Sequence, residues 1–118
     1  MNALIIVLNE TSLMDDLVSG LLELGVNGAT ILDSQGMGSA IVHGDVQFPL
    51  FGSLRSLLSG EARYSKTLFT VIEDDRLLHQ AIAAARRILG KRNRPGVGFL
   101  FTVPVGTMSR LGLRPEGE

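Results

Sequence analysis

Two glycine pairs stand out in the chain, Gly36-Met37-Gly38 and Gly96-Val97-Gly98. Lacking a Cβ, such positions let backbone amides approach a phosphate or carboxylate, in the manner of an anion-binding nest. The plainer reading is that each glycine eases a turn or a bulge. Arg86, Arg87, Lys91, Arg92 and Arg94 gather positive charge near the second pair. At a helix end they neutralise exposed carbonyls, which is the default account. In the sharper one, Lys91 or Arg94 reaches an anion.

Other chemistry finds less support. His43 with Asp45 makes half a metal site, and His79 follows Glu73-Asp74-Asp75, but neither has the spacing of a dedicated site. No Gly-x-Ser-x-Gly elbow is present, and Gly90-Lys91 lacks the preceding glycine and following hydroxyl of a phosphate-binding loop. With no cysteine, disulfides and thiolate metal sites are excluded. The expectation is a binding protein with no catalytic or metal residues; a small ferredoxin-like enzyme using His43 or His79 as general base is the weaker alternative.

These residues need elements to hold them. A length of 118 residues suits one domain, expected over 1–118. Eleven Lys and Arg against 12 Asp and Glu leave a net charge of −1, which gives no footing for nucleic acid. The 45% hydrophobic content and mean hydropathy of +0.27 leave apolar surface for partner subunits after a core is filled. Runs such as Ala3 to Leu8 fall far short of the ~20 residues that cross a bilayer. The opening Met1-Asn2-Ala3-Leu4 lacks the basic flank of a signal peptide, so a cytoplasmic location is expected.

Ala3 to Leu8, branched and uninterrupted, predicts a central strand buried on both faces. Ser12 with Asp15 predicts a capping box, and Leu13, Leu17, Leu21 and Leu24 trace a helical stripe that Gly25 stops. Ala29 to Ser34 is a second strand. The pattern then repeats: a strand over Lys66 to Ile72, a helix capped by Asp74 or Asp75 with Leu78, Ala81, Ile82, Ala85 and Ile88 on its apolar face, and a strand over Val97 to Val103 closed by Pro104. This β-α-β, β-α-β order predicts an α+β, ferredoxin-like sandwich, with two helices on one face of an antiparallel sheet. Copies of the chain are expected to cover the other face. The 39–65 connection carries its own short helical pattern, Ser53 to Gly60, and a tail follows from 105 to 118.

The chain resembles the PII signalling family and its PII-like relatives. Gly28-Ala29-Thr30 is similar to the turn into that family's second strand, Gly36-Met37-Gly38 to its Gly-Phe-Gly at the base of a long loop, and Gly96-Val97-Gly98 to its Gly-Asp-Gly before the last strand. Phe101 to Val105 resembles its closing strand, and Arg110 falls on a phosphate-contacting arginine. The resemblance implies a homotrimer binding a small anionic metabolite, such as ATP, ADP or AMP, in clefts between subunits. It implies ligand contacts at Thr30, Gly36, Met37, Gly38, Gly96, Gly98 and Arg110. The 39–65 connection would act as effector loop toward a target protein, a transporter or an enzyme, in nitrogen regulation.

The sequence departs from that pattern at Ser39 and Phe99, where the family has a basic residue and a lysine, and at Gly112, where it has a second arginine. Losing charge-assisted donors weakens triphosphate binding unless Lys91 or Arg94 replaces them. Tyr64, the one tyrosine, lies at the entry to the third strand, where uridylylation is not expected. Phe48, Leu50 and Phe51 place apolar groups in the long connection, to pack on the trimer or to bind a target. A structural or metal-tolerance trimer resembling the CutA family is the alternative.

Overall fold

The computed structural model describes residues 1–37 and 64–112. Four strands form one sheet: β1 (Asn2–Leu8), β2 (Thr30–Gln35), β3 (Tyr64–Ile72) and β4 (Gly98–Pro104). Their order is β2-β3-β1-β4 with every neighbour antiparallel, as expected for the ferredoxin-like sandwich. Helices α1 (Met14–Leu24) and α2 (Asp75–Leu89) pack together on one face.

Strand alternation builds the core. Leu4, Ile6 and Leu8 of β1 are fully buried with Leu68 of β3, against Leu17 and Leu21 of α1 and Ala81, Ala85 and Ile88 of α2. Small side chains on α2 let the helices approach closely; a Cβ on Gly20 of α1 would stand 3.0 Å from Ile88 Cδ1. The same alternation puts Ala3, Ile5 and Val7 on the opposite face, where they stay only partly covered. The expectation of a strand buried on both faces therefore holds on the helix side alone, because none of the described residues forms a layer over the other side.

That outer face is apolar. The register lines up Ile5 with Phe69 and Phe101, and Val7 with Phe99, all on the side away from the helices. Phe99 and Phe101 stack with ring centroids 6.1 Å apart and are 57% and 45% exposed.

The helix signals divide. Gly25 ends α1 in the left-handed conformation (φ 100°), its N–H donating to the Leu22 carbonyl and that of Val26 to Leu21, while Val26 packs into the core. Asp74 caps α2, its Oδ1 accepting from the Arg76 N–H at 3.1 Å. The expected Ser12 cap is not made. A 3-10 turn over Thr11–Leu13 leads into α1, with the Glu10 carbonyl accepting the Leu13 N–H at 3.0 Å and the Thr11 carbonyl that of Met14, so Ser12 lies inside the turn and Leu13 takes the N-cap position. The strands are otherwise shifted by one or two residues at their ends from the expected bounds.

Candidate ligand-binding site

The loop before β4 is built by two left-handed residues, Asn93 (φ 41°) and Gly96 (φ 80°), after a 3-10 turn at Gly90–Arg92. It is tied to the chain leaving β1. Asn9 and Glu10 both donate their backbone N–H to the Val97 carbonyl, at 2.8 and 3.2 Å, and Asn9 Nδ2 donates to the Gly96 carbonyl at 3.0 Å. Gly98 pairs with Leu8, and a Cβ there would come within 2.5 Å of the Val7 carbonyl oxygen. So the fold itself needs both glycines, one for a turn and one for close packing. Beside them a cavity of about 350 Å³ opens between the C-terminal end of α2 and β4, lined by Arg86, Leu89, Arg94, Pro95, Gly96, Gly98 and Phe99 among others.

Three of the five cations of this region are already engaged. Lys91 Nζ lies 3.5 Å from Asp16 Oδ2, Arg94 ion-pairs with Glu10, and Arg92 Nη2 donates to Ser12 Oγ at 3.4 Å. The basic cluster thus faces the entry to α1. Arg86 has no ion-pair partner among the described residues.

Gly36 and Met37 follow β2 and are exposed, Met37 by 80%; Gly38 lies outside the described residues. The register places them at the same end of the sheet as Gly98, since Gln35 pairs with Tyr64, Lys66 with Leu8, and Leu8 with Gly98. They lie at opposite edges, however, because β2 and β4 are the outermost strands. Three strand spacings, ~14 Å, separate the two glycine stations within one chain.

Thr30 and Arg110 sit toward the other end. Arg110 lines a second cavity, of about 250 Å³, with Gly28, Thr70, Glu73, Asp74 and Met108. Thr70 donates its hydroxyl to the Gly28 carbonyl and so fixes the turn into β2, where Thr30 stands exposed opposite Phe69. Arg110 has no ion pair or hydrogen bond among the described residues.

His79 Nδ1–H donates to the Asp75 carbonyl at 2.8 Å, so that nitrogen serves its own helix, and among the described residues no three His, Cys, Asp or Glu gather to hold a metal. His43, Asp45, Phe48, Leu50, Phe51 and the Ser53 to Gly60 segment lie outside the described residues. No helix among those described is long and apolar enough to cross a membrane. Sequence reasoning missed the anchors Glu10, Asp16 and Asn9. Asp16 carried a signal, as an acid in the first helical turn; nothing local marked Glu10, whose partner lies 84 residues away.

The family model described as nitrogen regulatory protein P-II matches residues 1–116. No curated protein matches the chain at a significant level.

Proposed function

The chain belongs to the nitrogen regulatory protein P-II family, a family of signalling proteins that are generally trimeric and interact with effectors and targets, and from that premise we propose how it works. It assembles as a homotrimer, binds a small anionic metabolite in clefts between subunits, with adenine nucleotides the first candidates, and regulates a partner protein through its 39–65 connection. The protein acts by binding, not catalysis.

One observation carries this reading: the two glycine stations lie at one end of the sheet but at opposite edges. No small anion spans that gap in a single chain. A second copy that sets its β4 edge beside the first copy's β2 edge closes it, and repetition of that contact around an axis gives a closed ring. The apolar face that none of the described residues covers, with Phe69, Phe99 and Phe101, supplies the hydrophobic contact such a ring needs. Thr30, Gly36, Met37, Gly38, Gly96, Gly98 and Arg110 are the proposed contacts, with Lys91 and Arg94 available if a ligand displaces Asp16 and Glu10.

Signalling then requires that the ligand bind one arrangement of the 39–65 connection better than another. Titration calorimetry with ATP, ADP and AMP tests the binding. Heat from at least one is expected; none from all three removes the adenine-nucleotide reading.

A further inference from the structure

We propose that Asn27 is a site of spontaneous covalent modification: its side-chain amide is lost through attack by the Gly28 backbone nitrogen, which leaves a carboxylate in the cavity that Arg110 lines. The reaction needs neither a ligand nor a second copy of the chain.

The chain has four asparagines, Asn2, Asn9, Asn27 and Asn93, and glycine follows only Asn27. Asn2 lies inside β1, opposite Ile72 on one side and Pro104 on the other. Asn9 is held by its Nδ2, which donates to the Gly96 carbonyl, and the next N–H, that of Glu10, donates to the Val97 carbonyl. Asn93 is followed by Arg94, whose side chain shields the nitrogen between them. Asn27 and Gly28 are both exposed, in the link between α1 and β2. That link is fixed at its two ends, where the Val26 N–H donates to the Leu21 carbonyl and the Gly28 carbonyl accepts the Thr70 hydroxyl. The peptide unit between, made of the Asn27 carbonyl and the Gly28 N–H, makes no hydrogen bond among the described residues, and neither does the Asn27 side chain. Nor does the fold require glycine at 28: its φ lies outside the left-handed region, and a Cβ there would meet nothing within 4 Å.

A glycine leaves its own nitrogen unshielded and lets the chain swing it toward the preceding side chain. On losing its proton, the Gly28 nitrogen bonds to Asn27 Cγ. The Cγ–Nδ2 bond then breaks and ammonia leaves, with a cyclic imide left behind. Water opens the ring at either carbonyl: breaking the bond to Cγ gives aspartate, and breaking the bond to the backbone carbon gives isoaspartate. One water is consumed, one ammonia is released, and nothing is oxidised or reduced. The new carboxyl is ionised at neutral pH, and it adds one negative charge to a chain whose formal net charge is −1. It joins Glu73 and Asp74 around a cavity in which Arg110 is the one cation among the described lining residues. Isoaspartate also inserts a carbon into the main chain between Val26, a core residue, and the anchored Gly28, so the turn into β2 must shift.

Peptide mass mapping of the full chain aged in neutral buffer, as wild type and as Gly28→Ala, tests this, with isoaspartate read separately through its labelling by an isoaspartyl methyltransferase. In folded wild type, Asn27 is expected to gain the mass of amide-to-acid exchange at least about tenfold faster than Asn2, Asn9 or Asn93, and Gly28→Ala to slow that gain by at least about tenfold. Isoaspartate is expected at position 27 in the aged wild type. Conversion of Asn27 no faster than that of the other three overturns the proposal, as does an unchanged rate in folded Gly28→Ala. The ranking of the four asparagines in wild type decides by itself if Gly28→Ala does not fold.

Discussion

Gly98 shows how much a single missing Cβ can decide. Its neighbour is the backbone oxygen of Val7, which cannot swing aside as a side-chain tip can. Gly98→Ala should therefore cost about 1–3 kcal/mol, the range for overpacking a tight site. Thermal unfolding would show it as a melting point lower by roughly 4 °C per kcal/mol; an unchanged melting point would mean that β4 does not approach β1 as described. Arg110 carries the opposite expectation. Exposed and unpaired among the described residues, it contributes little to stability, so Arg110→Ala should leave the melting point within about 2 °C. Its nucleotide affinity should fall at least about tenfold, since a hydrogen bond to a charged group contributes about 1.5–3 kcal/mol. Binding as tight as wild type would remove Arg110 from the site.

At the scale of elements, the ends of α1 make contrasting predictions. Among the described residues Ser12 caps nothing and holds only the long contact from Arg92, so Ser12→Ala should change unfolding free energy by less than about 0.5 kcal/mol. Gly25 is left-handed, and Gly25→Ala should cost about 1 kcal/mol. Denaturant titration of the two variants checks both, and a reversed order would contradict the described start and end of the helix. What was legible in the sequence follows the same division. Leu17, Leu21 and Gly25, the strand over Ala3 to Leu8, and a cap at Asp74 or Asp75 declare themselves through short-range patterns and stand where expected, with Asp74 the capping residue, although the strand is buried on its helix side alone. The Ser12 motif was equally local, but the 3-10 turn over Thr11–Leu13 moves the N-cap to Leu13. Pairings such as Arg94 with Glu10, Lys91 with Asp16, and Gly98 against Val7 join distant parts of the chain. No periodicity encodes them; they exist only once β4 has come to lie beside β1. The candidate site shared that fate: its glycines were visible, but the ion pairs that set its charge were not.

For the whole molecule, one fact shapes the account: a sheet with helices on one side and, on the other, aromatic rings that none of the described residues covers. Phe69, Phe99 and Phe101 are exposed on that side, and in the proposed assembly the two glycine stations at its opposite edges meet only across neighbouring copies. Covering the rings and completing the pockets are then the same event. A charge placed at the centre of the face should undo both, so Phe101→Asp is expected to yield folded single chains that bind no nucleotide. The mass of the native protein in solution, by light scattering on a sizing column, tests the central claim most directly. The account predicts three copies of the 12.7 kDa chain in one particle. A stable particle of one chain at micromolar concentration would contradict it.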